Sequence, residues 1–166
     1  MRTIRSCRHD EHETIAAIIN AAAEAYRGVI PPDCFHEPYM PLDELESETA
    51  AGVAFSGYEA DGQLIGVIGI QHMGDVDLIR HAYVLPTTQH RGVGSALLRH
   101  LQNSSTRRIL VGTWADAEWA IWFYQRHGFQ SVPPPQTALL LRKYWTISQR
   151  QLETSVVLAN PPLSLT

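Results

Sequence analysis

Hydrophobic and polar residues alternate along the first half of the chain in blocks that predict helices and strands. Residues 10–26 carry apolar side chains at helical spacing, which predicts a helix. Two alternating runs, 53–59 and 64–71, have the period of half-buried strands. The pair Asp61-Gly62 between them is a strong hairpin signal, because glycine adopts a positive φ without strain. With a short strand over 3–7 and a second short helix over 43–51, the first half predicts a strand, two helices and a hairpin.

The same pattern continues to the C-terminal end. In chain order it predicts a strand over 76–85, a helix over 95–103, a strand over 108–112, a helix over 116–127, a short strand over 129–132, a helix over 137–145 and a strand over 153–159. Asp116 and Gly128 are typical of the first and last capping positions of a helix. The order predicts a mixed α/β sheet in a single domain over 1–159, with 160–166 as a loose tail.

Composition and charge narrow the classes of function. The chain has 166 residues, of which 45 % are hydrophobic, and its net charge is -4. The hydrophobic fraction is enough for one core. The positive and negative charges are interspersed, which argues against a nucleic-acid-binding face. No apolar stretch suits a membrane span or a secretory signal, so we expect a cytoplasmic protein without a membrane partner. Cys7 and Cys34 show no zinc-type spacing, and no metal is expected.

A glycine-containing loop lies between the strand predicted over 76–85 and the helix that follows. It reads Gln89-His90-Arg91-Gly92-Val93-Gly94. Glycines let a ligand approach the backbone, and the free N–H groups of a first helical turn favour an anion. A dinucleotide-binding loop would need a third glycine where Leu97 stands, and a Walker loop would need Gly-Lys-Ser/Thr. The remaining interpretations are an anion-binding turn of another kind and a plain strand-to-helix turn.

The loop and a later segment together resemble the GCN5-related N-acetyltransferase (GNAT) superfamily. The first shared signature is Tyr83-Val84-Leu85-Pro86, followed by the glycine loop and an amphipathic helix. The second is a helical segment over 120–129 that carries Tyr124 and closes in Gly-Phe. The resemblance implies an α/β (α+β) fold whose mixed, mostly antiparallel sheet has six to seven strands, helices on both faces and a splayed central strand pair. It also implies an acyltransferase that moves an acetyl group from acetyl-CoA directly to an amine of a small molecule or peptide.

The resemblance further implies which residues bind acetyl-CoA. The CoA pyrophosphate would lie on the backbone of Gln89, His90, Arg91, Gly92, Val93, Gly94 and Ser95. Val84 and Leu85 would bind the pantetheine arm as an added strand, and one N–H near them would be the oxyanion donor. Tyr124 would protonate the departing thiolate. Because a thiol has a pKa of about 8.5, that acid helps without being indispensable.

Two positions depart from the family pattern. Leu78 stands where many members carry an acidic residue, and Ala117 stands where an asparagine often contacts the pantetheine arm. Under strict alternation Asp77 and His81 share the opposite sheet face, so without a bulge neither is an obvious general base. The base then lies at Glu59, at His72 or in water, or the acceptor amine is weakly basic. The departures leave a second hypothesis, a CoA-binding or sensor domain with weak or no transfer.

The acceptor is not identified by the sequence. Arg80 is expected to share a face with Leu78 and to contact a substrate carboxylate or another polar group, or else to form a salt bridge with a sheet neighbour. Tyr26 lies where the family builds its acceptor pocket, which makes it a candidate for substrate binding. The segment 133–150 is expected to cover the acceptor site or to form a homodimer contact through Tyr144 and Trp145.

Overall fold

The computed structural model describes residues 1–163, which form a seven-stranded sheet in the order β1-β2-β3-β4-β5-β7-β6. The strands are Arg2–Ser6 (β1), Ala54–Ala60 (β2), Gln63–His72 (β3), Val76–Val84 (β4), Arg108–Trp114 (β5), Gln130–Ser131 (β6) and Ser155–Asn160 (β7). The helices are His12–Ala23 (α1), Leu42–Ala50 (α2), Val93–Ser104 (α3), Glu118–Gln125 (α4), Pro134–Tyr144 (α5) and Gln149–Glu153 (α6). Neighbouring strands run antiparallel except for β4 and β5, which are parallel. The predicted mixed, mostly antiparallel sheet is confirmed.

Helices cover both faces of this sheet. On one face α3 buries Leu98 against the strands, and α4 completes the same apolar cluster. On the other face α1 and α2 bury Ile19 and Leu45 over β2 and β3. Farther along that second face, α5 buries Leu141 over β5 and β7. Within residues 1–163 no helix combines the length and the apolar content that crossing a bilayer requires.

The central pair of strands separates along its length. β4 and β5 pair over four positions, from Val76 opposite Arg108 to Ile79 opposite Val111. Both strands continue beyond that point, β4 to Val84 and β5 to Trp114. Their facing edges are therefore open along the continuation, and a wedge lies between them. This is the splayed pair that the resemblance implied.

β4 also carries a β-bulge at Arg80. The pairing with β3 passes from Ile70 opposite Ile79 to Gly69 opposite His81, which leaves Arg80 as an extra residue. A bulge interrupts the two-residue alternation of side chains. His81 consequently lies on the face covered by α1 and α2, whereas Asp77 remains on the α3 face. The prediction that His81 and Asp77 share a face is wrong because strict alternation does not hold here.

The Asp61-Gly62 turn and the two ends of α4 can be compared with the sequence predictions. Asp61 and Gly62 have φ of 51° and 81°, so the predicted hairpin turn is confirmed. Gly128, with φ of 89°, lies beyond the end of α4 as expected. The first capping residue of α4 is Ala117 instead of Asp116. The short helix α6, capped by the Ser148 side chain, was not predicted.

The first part of the predicted tail is anchored to the sheet. The guanidinium of Arg108 donates hydrogen bonds to the carbonyl oxygens of Pro161 at 3.0 Å and Pro162 at 3.3 Å. Leu163 packs against the apolar cluster beneath α5. The prediction of a loose tail over 160–166 is therefore corrected for 160–163, and residues 164–166 lie outside the described part of the chain.

Candidate active site

The loop between β4 and α3 presents unpaired backbone N–H groups. The first hydrogen bond inside α3 runs from the Ala96 N–H to the Gly92 carbonyl oxygen at 3.0 Å. Three N–H groups of the first turn consequently have no intrahelical partner, those of Val93, Gly94 and Ser95. His90 and Gly92 adopt left-handed φ values of 65° and 80°. Such a conformation is strained for His90, and strain of this kind concentrates at ligand sites.

A cavity of about 530 Å³ begins at this loop and runs along β4 between α3 and α4. The loop lines it through Gln89, His90 and the first residues of α3, whereas the Arg91 side chain is exposed beside it. The wall contributed by α4 was mostly missed by sequence reasoning and contains Trp119, Ala120, Phe123, Tyr124 and, at its end, Arg126. The volume lies in the range of cavities that hold cofactor-sized ligands.

Gly94 leaves space on the ligand side of the loop. A Cβ atom placed on Gly94 would lie 3.5 Å from the Phe123 ring, which is ordinary van der Waals contact. The fold itself therefore accepts a side chain at this position. The value of glycine here is the close approach that it allows between the backbone and a ligand.

Only alternate residues of β4 direct their backbone N–H groups towards the cavity. The Leu85 N–H donates to the Ile65 carbonyl oxygen at 2.9 Å, so the amides of Ala82 and Val84 point away from β3 towards the open side. The Leu85 carbonyl oxygen accepts from the Thr88 N–H at 2.9 Å and from its hydroxyl at 3.0 Å. Both backbone groups of Leu85 are engaged, which corrects its predicted role. The N–H of Val84 remains oriented towards the cavity.

A second cavity of about 120 Å³ lies in the wedge between β4 and β5. Its walls come from both splayed strands and from the aromatic side chains of Tyr26 and Tyr39. The two cavities share four lining residues, namely Tyr26, Ala82, Tyr83 and Tyr124. Groups bound in the two cavities would therefore meet beside these residues.

Tyr124 stands at the junction of the two cavities. It is 6 % exposed, and its ring packs edge-on against Phe123 and Phe129 with centroid distances of 5.2 and 5.5 Å. Burial, with a smaller contribution from Tyr26, raises the pKa of Tyr124 well above its ordinary value. The phenol is therefore neutral near pH 7 and retains the proton that a general acid needs.

His81 is the ionisable side chain of the smaller cavity that sequence reasoning did not place there. Its Nε2 lies 2.6 Å from the Glu48 Oε2 on α2. The imidazole stacks near Phe55 and Tyr83, with centroid distances of 6.1 and 6.3 Å. A carboxylate at Nε2 fixes the orientation of the ring and leaves Nδ1 as the nitrogen that can accept a proton. The arrangement is suited to a general base.

The other suggested bases lie outside the two cavities. Glu59 accepts a hydrogen bond from the Arg5 Nε at 2.8 Å. The His72 Nδ1 lies 2.6 Å from the buried carboxylate of Asp77, which also accepts from the Ser105 hydroxyl at 2.5 Å. Neither Glu59 nor His72 lines either cavity. Both suggestions are corrected by these positions.

Arg80 lies at the bulge, and its side-chain hydrogen bonds go to uncharged acceptors. Its Nε donates to the Gln71 Oε1 at 2.8 Å, and its Nη2 donates to the Tyr144 carbonyl oxygen at 3.1 Å. The guanidinium also lies 5.6 Å from the centre of the Trp145 ring. Within residues 1–163 no carboxylate forms an ion pair with it, so the expected salt bridge to a sheet neighbour is absent there. Burial lowers the pKa of Arg80, and the negative charge of Glu48 acts in the opposite direction from beyond ion-pair distance.

The segment after β6 packs onto its own sheet. Tyr144 is 7 % exposed, and its hydroxyl donates to the Asp75 carboxylate at 2.8 Å. Trp145 lies over Gly112, where an added Cβ would approach its ring to 3.4 Å. The Tyr144 side chain is therefore buried within the chain, and a homodimer contact by this segment stays a prediction.

Comparisons with known proteins assign the fold and the domain type. Residues 52–131 match the family model described as an acetyltransferase (GNAT) domain. The structure of PaiA N-acetyltransferase from Thermoplasma acidophilum in complex with coenzyme A is similar, with a TM-score of 0.67, 15 % identity and coverage of 96 % of this chain and 98 % of that chain. A GNAT-family acetyltransferase from Staphylococcus aureus Mu50 has a TM-score of 0.69 at 15 % identity, with the same coverages.

A curated relative matches by sequence alone. UPF0157 protein YqkA from Bacillus subtilis (strain 168) is 29 % identical over 115 residues, which cover 67 % of this chain and 34 % of that protein. This chain thus matches about a third of the length of that relative. The fold and the domain match define an acetyltransferase-type domain. Residues 52–131 match the GNAT acetyltransferase domain, and the chain as a whole has the fold of GNAT-family acetyltransferases.

Proposed function

We propose that this protein is an N-acetyltransferase that moves the acetyl group of acetyl-CoA directly to the nitrogen of an amine. The observation that carries the proposal is the junction of the two cavities at Tyr26, Ala82, Tyr83 and Tyr124. The larger cavity begins at a helix terminus with three unpaired N–H groups, which suits an anion, and the smaller one opens from the splayed strands. Two substrates bound in them would be held next to each other, and such proximity supplies much of the rate of a two-substrate reaction.

The residues of the larger cavity fit the donor. The N–H groups of the first turn of α3 would hold the pyrophosphate, and the N–H of Val84 would bind the pantetheine arm along the free edge of β4. Arg126 adds a cation at the rim. Acetyl-CoA bound in this way would supply an activated thioester at the junction. The coenzyme A bound by the Thermoplasma relative supports this choice of donor.

The residues around the junction suit the proton transfers. An alkylammonium, with a pKa of about 10.4, must lose a proton before it can attack. His81, oriented by Glu48, would accept that proton. The amine nitrogen then bonds to the acetyl carbon as the carbon–sulfur bond breaks, and Tyr124 would protonate the sulfur. The nitrogen loses one proton as it becomes an amide, and that proton restores the Tyr124 phenol. The net reaction yields an N-acetylated amine, free CoA and one released proton.

Release of free thiol from acetyl-CoA, measured across a panel of alkyl- and arylamines, tests this proposal. We expect release that depends on the amine, together with a product whose mass has increased by one acetyl group. Binding of acetyl-CoA in calorimetry without transfer to any amine would instead support the CoA-binding or sensor domain. Leu78 and Ala117, both fully buried and outside the two cavities, do not favour that second function.

A further inference from the structure

We propose that the acceptor is an amino carboxylate, a small molecule with a carboxylate close to the amine that is acetylated. The inference rests on the proposed function and names the acceptor class for the same site. It follows from the juxtaposition of Arg80 and His81 in the smaller cavity. These two consecutive residues lie on one face of β4 because the bulge interrupts the alternation.

Arg80 is a half-buried cation that hydrogen-bonds to uncharged groups, and Glu48 acts on it only from beyond ion-pair distance. A guanidinium has five N–H donors, and the Nε and Nη2 groups here donate to uncharged acceptors, Gln71 and the Tyr144 carbonyl. A charge held away from water without a counter-ion is costly, so arginine in the middle of a central strand is unusual. A carboxylate on the ligand would supply a counter-ion in direct contact and pair with the guanidinium in a charge-assisted hydrogen bond.

The amine end of the acceptor has different neighbours. Glu48 and His81 form an acid–base pair on the α2 side of the smaller cavity, 2.6 Å apart. Tyr124 and the end of the donor cavity lie at the junction. The cavity therefore presents a cation to one end of the acceptor and a proton acceptor to the other. A molecule with both a carboxylate and an ammonium group matches this polarity.

Size and charge disfavour the other amine classes. A cavity of about 120 Å³ is smaller than those that enclose drug-sized ligands, which occupy roughly 300–1,000 Å³. It admits a small polar head, with Tyr26 and Tyr39 as aromatic walls beside it. A polyamine or a lysine side chain would bring no anion to Arg80, and a second ammonium near the guanidinium would repel it.

Matched acceptors provide the test. kcat/KM is measured for a set of L-amino acids and for the corresponding carboxamides, which keep the amine and lose the carboxylate charge. For the wild-type protein we expect a preference of about 10- to 100-fold for the acids, the range of charge-assisted hydrogen bonds. In Arg80→Gln the preference should disappear through a higher KM for the acids, with turnover of the carboxamides and affinity for acetyl-CoA retained.

The ratio of kcat/KM for the acids to kcat/KM for the carboxamides, taken within one variant, distinguishes loss of carboxylate binding from a general structural defect. A general loss of packing around Gln71 and Trp145 would lower acids and carboxamides alike and leave the ratio unchanged, which would overturn the proposal. Arg80→Lys should restore part of the ratio, and Arg99→Gln, on the exposed side of α3, should leave it at the wild-type value. Equal use of both sets by the wild type, or activity confined to amines without a carboxylate, would also overturn the inference. Absence of transfer to any amine while acetyl-CoA binds would overturn the proposed function itself.

Discussion

The proposed donor and acceptor regions of this protein are built from different parts of the chain. The proposed donor region uses backbone groups of one continuous stretch, from β4 through the glycine loop into α3. The proposed acceptor region uses single side chains from separate elements, with Glu48 on α2 and Arg80 and His81 at the bulge of β4. The difference predicts that donor binding responds to lost space or altered backbone, whereas transfer responds to the loss of individual side chains.

The largest effect is expected at His81. His81→Gln should lower kcat/KM for alkylamines by about 10²- to 10⁴-fold, the usual contribution of a general base. The dissociation constant for acetyl-CoA should stay within about twofold of the wild-type value. Arylamines, which are neutral at pH 7, need no base and should lose much less. An equal loss for both amine classes in steady-state assays would contradict the role of His81 in deprotonation.

Tyr124 lies where the two regions meet, and its removal should have the next largest effect. Tyr124→Phe should lower kcat by about 10- to 100-fold, less than the loss of an indispensable acid, because a thiolate is a tolerable leaving group. Since burial keeps the pKa of this phenol above its ordinary value, wild-type activity should show no decline from Tyr124 ionisation up to about pH 10. An unchanged kcat in the variant, measured by thiol release, would remove Tyr124 from the proposed mechanism.

The two glycines of the loop are expected to have different roles. Gly94 leaves space for a ligand, and Gly92 adopts a backbone conformation that is strained for other residues. Gly94→Ala should weaken acetyl-CoA binding by about tenfold or more, equivalent to about 1.4 kcal/mol, with little change in melting temperature. Gly92→Ala should instead cost about 1 kcal/mol of stability, because alanine is strained at a φ of 80°. Calorimetric titration and thermal unfolding measure the two quantities. Wild-type affinity in Gly94→Ala would show that no ligand approaches this backbone closely.

Glu11 lies outside both regions, and its effect on binding and transfer should be the smallest. Its carboxylate accepts from the Arg5 guanidinium at 2.7 Å and from the Arg8 N–H at 2.7 Å. The hydrogen bond from Arg5 is the largest cause that lowers the pKa of Glu11 to about 2, against burial, which raises it. Because the folded pKa lies below the unfolded value of about 4.3, this stabilisation is present above that value and is lost as the pH falls towards 2.

The corresponding measurement is thermal unfolding between pH 7 and pH 2. Glu11→Gln should melt below the wild type at pH 7, and the two melting temperatures should converge as the pH falls below about 4. Binding of acetyl-CoA and kcat at pH 7 should be unchanged. A constant difference in melting temperature at all pH values would show that the charge of Glu11 does not stabilise the fold.

The strand, glycine loop and helix of the proposed donor region could be predicted from the sequence because their signals are local. Glycine spacing, a strand end and a helix start are contiguous, and the order of residues alone therefore indicates an anion site at the loop. The sheet could be predicted for a similar reason, since each strand has its own pattern and Asp61-Gly62 defines a turn. Leu85 was the exception, because the sequence does not reveal which amides of an antiparallel strand point towards its neighbour.

The proposed acceptor region could be predicted only in part: the sequence indicated Arg80 and Tyr26, but the position of His81 depends on one inserted residue. A bulge at Arg80 has no strong sequence signature, yet it moves His81 from the expected face of β4 to the other. The partner of His81, Glu48, is 33 positions away on a different element. Tertiary packing decides such contacts, so the sequence leaves Glu59 and His72 as equally plausible bases, and only the fold places them away from both cavities.

The central claim is that the two cavities meet at the site of chemistry. A crystal structure of the protein with coenzyme A and an N-acetylated amino acid tests it most directly. We predict the pyrophosphate at the N–H groups of Val93, Gly94 and Ser95 and the sulfur beside the Tyr124 hydroxyl. The acetylated nitrogen should lie between Tyr124 and His81. A sulfur atom remote from Tyr124, or an acceptor bound outside the wedge between β4 and β5, would contradict the account.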